Sequence, residues 1–169
     1  MRSSKVLKNF TREQKFLNKL ASERKLELIE PSQEICRSYL EKSRISTRSA
    51  KVLLDNALLE TSIAMSYYSM YHTLTALFYA VGIKCENHSA AIIIMKEVFG
   101  LDDSLIKKAK AERIDQQYTT TFKVNSQQVA KSIKIAEKFY RELVGFIDYL
   151  DSTKISEFKK RFKNLLLIK

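Results

Sequence analysis

Residues 60–81 read ETSIAMSYYSMYHTLTALFYAV, and this stretch decides the fold because apolar or aromatic side chains cover nearly its whole circumference at helical spacing. Gly82 follows at once, and glycine readily takes the left-handed conformation that closes a helix. The pattern predicts a long helix at the centre of a bundle or in a dimer interface. Its two apolar stripes are Ile63, Tyr67, Met70, Leu74, Leu77 and Val81, and Ala64, Tyr68, Tyr71, Thr75 and Phe78.

The rest of the chain is also made of helix-forming residues. Its 169 residues include 3 glycines and 1 proline, too few for many tight turns. We predict an all-α fold, an antiparallel bundle of four to five helices with extra N- and C-terminal helices. Helical spacing and capping residues place the other helices at about 11–29 (capped by Thr11 with Gln14 and ended by Pro31), 32–58, 88–99 (capped by Asn87), 102–118 (opened by Asp102) and 126–150 (capped by Ser126). Residues 119–125 are expected to form an exposed loop, and 155–169 a short amphipathic helix or a frayed tail.

Positive charge is concentrated at both ends of the chain. The net charge is +11, with 8 Lys/Arg against 2 Glu in residues 1–25 and 6 against 1 in residues 154–169. Such a field favours RNA, DNA or an acidic partner protein, although either end is also explained as a solvated helix face. We therefore expect a basic N-terminal arm (1–30), a helical bundle (31–152) and a basic C-terminal helix or tail (153–169).

Several classes of function have no local support in the sequence. Cys36 and Cys85 lack metal-ligand spacing and are expected in the core, so we expect no metal site and no cofactor. No phosphate-binding glycine loop, Rossmann fingerprint, zinc-protease or serine-hydrolase motif occurs. The first ten residues lack the apolar run of about 7–15 residues that a secretory signal needs, so a cytoplasmic location is expected. A membrane span over 61–83 is disfavoured by its serines and threonines.

Three blocks in order resemble the HEPN (higher eukaryotes and prokaryotes nucleotide-binding) domain family. They are SYYSMYHTLTALFYAVGIKCENHSAAIIIM (66–95), a basic helix ending in ERIDQQY (112–118), and the Ala-, Glu- and aromatic-rich helix 127–150. The resemblance covers roughly residues 37–151, and is closest to an archaeal and bacterial branch with an SYYAMY-like helix. It implies a face-to-face homodimer, often encoded beside a minimal nucleotidyltransferase.

Many members of that family are metal-independent ribonucleases with an Arg followed after four to six residues by His. The arginine holds a phosphate, and the histidine moves the proton when the RNA 2′-hydroxyl attacks. This chain has Arg113, but residues 114–123 contain no histidine, and Tyr118 stands after four intervening positions. A phenol with a pKa near 10 is a poor base at neutral pH, so the same ribonuclease mechanism is not expected in full.

The resemblance assigns candidate residues to this sequence. Catalytic candidates are Arg113 and Tyr118, and ligand-binding candidates are Arg113, Asp115, Tyr118 and His72. The candidate dimer interface on the central helix is Tyr67, Tyr71, Leu74 and Phe78.

Each of these assignments has a simpler structural alternative. His72 fits a partly buried core histidine, and His88 a residue of the capping region, unless the fold brings either into a cleft with Arg113. The tyrosines fit an aromatic core or dimer seam as well as a base-stacking platform. The favoured hypothesis is the RNA- or nucleotide-binding, toxin-like HEPN component of a two-component module with a nucleotidyltransferase, with weak or lost ribonuclease activity. The alternatives are a non-catalytic helical dimerisation and interaction protein, and nucleic-acid binding by the basic arms.

Overall fold

The computed structural model describes residues 11–118 and 124–166, with only the backbone described for 115–118. These ranges form helices joined by short connections and one pair of antiparallel strands. The all-α class is confirmed, and the strand pair was not predicted. The elements are α1 (Arg12–Ser22), β1 (Leu26–Leu28), α2 (Gln33–Asp55), α3 (Leu59–Val81), β2 (Ile83–Cys85), α4 (His88–Glu97), α5 (Ser104–Tyr118), α6 (Ser126–Asp148) and α7 (Ser152–Leu166).

Helix α3 lies at the centre of the fold, with α2, α5 and α6 packed along it. Its apolar side chains are buried within the single chain: Leu74 and Leu77 have no exposed surface. Helix α2 runs antiparallel to α3, because Ser43 hydrogen-bonds Thr73 towards one end and Ser62 bonds the Ala50 carbonyl towards the other. The predicted central position of α3 is therefore confirmed.

Helix α6 runs in the same direction as α3. Val129, near its start, packs with Ile63 near the start of α3, whereas Ile147 packs against the cluster of Ala80 near the other end. Helices α2, α3, α5 and α6 thus form the bundle, with α3 making the most extensive contacts.

The first helix is shorter than the spacing of its residues predicts. It ends at Ser22, and Arg24 then adopts a positive φ of 57°, which turns the chain into β1. Leu26 pairs with Cys85 and Leu28 with Ile83. The prediction of helix as far as residue 29 was therefore wrong, because pairing with a strand distant in sequence overrides local helical spacing.

Gly82 closes α3 and allows that strand pair to form against it. Its φ is +88°, and a Cβ at this position would lie 2.5 Å from the carbonyl oxygen of Ile29. The Ile29 amide donates to the Gly82 carbonyl at 2.9 Å. A side chain is therefore excluded both by the backbone conformation and by the close approach of the neighbouring segment.

Both ends of the described chain contribute to the main core. Leu17 and Leu20 of α1 and Phe158 and Phe162 of α7 join the buried cluster around α3. Of the two alternatives for the C-terminal residues, a packed helix is correct as far as Leu166. The division into arms and bundle remains a prediction.

The capping predictions have mixed outcomes. The Thr11–Gln14 capping box and the Asn87 cap are confirmed. Helix α6 is capped by Asn125, whose side chain accepts from the Gln128 amide, instead of by Ser126. The loop prediction for 119–125 falls mostly on residues 119–123, which lie outside the described ranges.

Candidate functional site

Side chains from three helices meet on the face of α3 that points towards α4 and α5. Helix α3 contributes consecutive tyrosines and the α4 N-terminus a histidine, while α5 contributes basic side chains one turn apart. Tyr67 is fully buried, whereas the other members are half-buried and accessible. We call this group the histidine–arginine cluster: Tyr67, Tyr68, Tyr71, His88, Lys110 and Arg113.

His88 is held from two directions. Its Nδ1 lies 2.6 Å from the Tyr67 hydroxyl oxygen, and its ring stacks on Tyr71 with centroids 3.7 Å apart and planes 14° apart. Asn87 fixes the start of α4 by accepting the amide protons of Ser89 and Ala90, and so sets where the ring is placed. The imidazole is thus positioned rigidly at the N-terminus of α4.

Burial, followed by the nearby charges of Arg113 and Lys110, lowers the pKa of His88 to about 4. The ring is therefore neutral at pH 7. Burial raises the pKa of Tyr67 far above its ordinary value of 10, so its phenol keeps its proton.

These protonation states indicate which nitrogen of His88 carries the hydrogen. A buried phenol that failed to donate would lose about 1–3 kcal/mol. Among the described residues the Tyr67 hydroxyl has His88 Nδ1 as its partner, so it donates to that atom. The proton of the neutral ring is then on Nε2, which is a hydrogen-bond donor in this tautomer.

Arg113 carries a positive charge without a counter-charge among the described residues. Its Nη2 donates to the Tyr68 hydroxyl at 3.0 Å. The guanidinium carbon lies 5.2 Å from the ring centroid of Tyr68 and 5.7 Å from that of Tyr67, within the range of a cation–π contact. The aromatic rings orient the guanidinium.

Lys110 lies one turn before Arg113 on the same face of α5. Its ammonium donates to the Ser89 hydroxyl beside His88. Burial and then the charge of Arg113 lower the pKa of Lys110. Two like charges at this spacing repel each other by a few tenths of a kcal/mol. An anion bound between them would relieve that repulsion.

His72 lies at the edge of the cluster, on the side towards α2. Its Nδ1 is 3.3 Å from the Ser46 hydroxyl, and its ring packs near Tyr68 and Tyr39. Burial, followed by the charge of Lys42, lowers its pKa. Tyr68 lies between His72 and Arg113, since its ring is near that of His72 and its hydroxyl accepts from Arg113.

The structure separates the predicted site residues into three groups. It brings Arg113 near His72, with Tyr68 between them, whereas the side chains of Asp115 and Tyr118 lie outside the described part of the chain. Tyr67, Leu74 and Phe78 are 0%, 0% and 1% exposed within one chain. These three side chains therefore lie in the core of the single chain, and the dimer interface expected on the central helix remains a prediction.

Three members of the cluster were not among the candidate residues: Tyr68, His88 and Lys110. The sequence indicated that His88 lies in the capping region of a helix. It did not indicate that this first residue of α4 faces α5. The signal available in the sequence was Asn87, which fixes where that helix begins. Its orientation depends on the strand pair before it, which the sequence did not predict.

A cavity of about 220 Å³ lies between α3, α5 and α6, and it shares Tyr67 with the cluster. It is mainly apolar, with Ile63, Met70 and Ile135 in its wall and Lys108 and Glu112 at its rim. Among the described residues, no group of three or more His, Cys, Asp or Glu side chains is placed to hold a metal ion. No helix in the described ranges is long and apolar enough to cross a membrane.

The described residues fold as a helical-bundle protein. The family model described as "HEPN domain" matches residues 36–147, so the chain belongs to the HEPN family. The chain is similar to the UPF0332 protein PH1297 of Pyrococcus horikoshii, at 31% identity over 68% of this chain and 77% of that protein. It is also similar to a Methanocaldococcus jannaschii protein named "Putative toxin MJ0605", at 23% identity over 79% of this chain and 92% of that protein.

Proposed function

We propose that this HEPN protein binds the phosphate of RNA or of a nucleotide in the histidine–arginine cluster. The observation that carries the proposal is the juxtaposition of Arg113, Lys110 and the neutral His88, with no carboxylate paired to either cation among the described residues. Arginine, ammonium and an imidazole N–H are the donors that phosphate oxygens prefer.

The tyrosines of the cluster give the site a second kind of contact. Tyr68 and Tyr71 are half-buried; the ring of Tyr68 adjoins the Arg113 guanidinium, and that of Tyr71 stacks on His88. A base can stack on such a ring while its phosphate meets the cations, and base–aromatic stacking contributes about 1–3 kcal/mol per base. This combination favours a nucleotide over a simple inorganic anion.

The protonation state of His88 favours binding over fast catalysis. In family ribonucleases the histidine moves a proton, but a ring with a pKa of about 4 is a weak base at neutral pH. With Nδ1 engaged by Tyr67, Nε2 carries the ring proton, so it donates a hydrogen bond and does not accept a proton. We therefore propose weak or lost metal-independent ribonuclease activity.

The biological setting belongs to the same proposal. Membership of the HEPN family and the similarity to a relative with a toxin-like name support a toxin-type role. We propose that the protein works in the cytoplasm as a homodimer and as the HEPN component of a two-component module with a minimal nucleotidyltransferase. Asp115 and Tyr118 remain candidate ligand-binding residues, because both follow Arg113 on α5.

The second candidate function is a non-catalytic interaction protein. Ile45 and Val52 of α2 are 49% and 55% exposed, and they lie seven residues apart on one face of the helix. Such a face suits a partner helix or a second copy of this chain. If this were the whole function, Ile45→Asp with Val52→Asp would abolish association, whereas Arg113→Ala would leave it intact.

RNA binding by wild type and Arg113→Ala, measured by fluorescence anisotropy, tests the first proposal. Losing a hydrogen bond to a charged group costs about 1.5–3 kcal/mol, so we expect affinity to fall by about ten- to a hundredfold. Arg12→Ala, an exposed arginine on α1, removes the same charge elsewhere and is the matched control. Equal affinities for the two variants would refute the site.

Incubation of wild type with bulk RNA in EDTA tests the catalytic part separately. We expect cleavage that is slow or absent. Rapid cleavage that disappears in His88→Gln would contradict the weak-base argument and would assign an active ribonuclease to the cluster.

A further inference from the structure

A second basic surface lies between α2 and α6, in a groove of about 320 Å³. The groove is lined mainly by cationic side chains, with one acidic residue and one aromatic ring among them. That volume is at the low end of the range of about 300–1,000 Å³ for ligand pockets. The groove is lined by Arg44, Arg48, Lys51, Glu137, Tyr140 and Arg141, together with Thr47.

The groove is separate from the histidine–arginine cluster. Ser46 of α2 faces His72, on the side towards the cluster. Helical geometry places residues 44, 48 and 51 about 140–160° around the helix from that position. The groove therefore opens on the opposite side of α2, and it does not depend on Arg113 or His88.

Two of the four cationic side chains in the groove have no ion-pair partner among the described residues. Lys51 pairs with Glu137 at 2.6 Å, which accounts for the acidic residue. Arg44 makes only an exposed contact with Glu41 at 3.5 Å, a kind of pair that contributes little. Arg48 and Arg141 make no ion pair among the described side chains, so two guanidiniums face the groove without a partner.

We propose that the α2–α6 groove is a second anion site, which holds the phosphodiester backbone of a single-stranded nucleic acid. Guanidiniums match phosphate with paired hydrogen bonds, and their charge favours any polyanion. The half-buried ring of Tyr140 distinguishes a nucleic acid from an acidic peptide, because a base stacks on it beside the bound phosphate.

The experiment measures the salt dependence of binding of a short fluorescent oligouridylate, between about 50 and 200 mM salt. Each phosphate contact contributes about 0.7 to the slope of log affinity against log salt for single strands. Arg48→Gln with Arg141→Gln is therefore expected to reduce the slope by about 1.4. The control, Lys96→Gln with Lys160→Gln, removes the same charge from exposed positions on α4 and α7 and is expected to leave the slope unchanged.

Further arms identify the ligand. Tyr140→Ala is expected to weaken binding several-fold, and Tyr140→Phe to retain it. An oligodeoxynucleotide in place of the RNA distinguishes a general backbone site from one that needs the 2′-hydroxyl. Polyglutamate is expected to compete less well than unlabelled oligouridylate of equal charge.

Several results would overturn the groove proposal: no binding by wild type, equal slopes for the groove and control variants, or competition by polyglutamate equal to that by RNA. The last would assign the groove to an acidic protein partner. Arg113→Ala in the same assay separates the two proposals. If Arg113→Ala weakens binding while the groove variant does not, the proposed function stands and the groove proposal fails. If the groove variant weakens binding while Arg113→Ala does not, the groove proposal stands and binding at the cluster fails.

Discussion

The polar groups on the two sides of the central helix α3 differ in whether they find partners within the described chain. Towards α2, buried hydroxyls bond one another: Ser43 to Ser69 at 3.0 Å and to Thr73 at 2.8 Å, and Thr47 to Ser69 at 2.7 Å. Towards α4 and α5, Arg113, Lys110 and His88 bring charge and donors together without a counter-charge among the described residues. The hydroxyls of this seam bond one another within the described chain, whereas the cations of the cluster have no carboxylate partner there.

The difference separates a structural role from a binding role. Buried polar groups that satisfy one another fix how two helices pack, and they need nothing from solution. Like charges held close together reduce stability, and they are usually found where a ligand compensates them. Changes on the two sides of α3 should therefore affect different measurements.

The largest expected effect comes from the core that both sides share. Leu74→Asp buries an unpaired carboxylate at a position without exposed surface, and should destabilise the chain by more than about 4 kcal/mol. Circular dichroism should show an unfolded protein. Val52→Asp, on an exposed position of α2, is the control and should remain folded. A Leu74→Asp variant that is folded but monomeric would show that Leu74 lies in a dimer interface and not in the core of the single chain.

The cluster makes stability depend on pH. The pKa of His88 is about 4 in the folded protein against 6.5 for the ordinary group, so the unfolded chain binds the extra proton between these values. This contribution is fully present above about pH 6.5 and is lost as the pH falls towards 4. After a discount for partial exposure we expect a loss of about 1–2 kcal/mol.

Urea unfolding of wild type and His88→Asn across that range measures the contribution as a difference, which removes the shared titration of carboxylates. The difference in unfolding free energy between the two proteins should change with pH in this window. Parallel curves would mean that the His88 ring titrates normally in the folded state.

A change in the seam should lower stability alone. Ser69→Ala removes the hydroxyl that joins Ser43 and Thr47, and should cost about 1 kcal/mol because each of those residues keeps another partner. RNA affinity should stay within twofold of wild type. A large loss of binding with unchanged stability would make the seam part of the site.

The smallest stability effect should come from Lys110→Met. Removing one of two neighbouring charges should leave stability within about 0.5 kcal/mol of wild type, or raise it slightly, while RNA binding weakens. This combination is the reverse of that for Ser69→Ala. If Lys110→Met binds RNA as well as wild type does, the ammonium is not part of the anion site.

Much of this architecture follows from periodicity in the sequence. The central position of α3, the Asn87 cap and the glycine stop at Gly82 are all local signals, and each is confirmed. The β1–β2 pair was missed because three-residue strands have little pattern of their own and form only when α1 and α3 end beside each other.

The candidate site was harder to predict because its members are close in space but not in sequence. Arg113 was found through the resemblance to the HEPN family. His88 and Lys110 join the site because the turn before α4 positions His88 and the packing of α5 positions Lys110. Single residues of types that are common on surfaces carry no periodic signal. Whether such a residue belongs to a binding site depends on which charged groups the fold places next to it.

The most direct test of the central claim is an NMR titration of the histidine rings with an oligoribonucleotide. The chain has 2 histidines, so His88→Asn assigns both sets of signals. The account predicts a neutral His88 with its proton on Nε2 at pH 7, a large shift of its signals on RNA addition, and loss of that shift in Arg113→Ala. A ring protonated at pH 7, or signals that do not move while RNA binds, would contradict it.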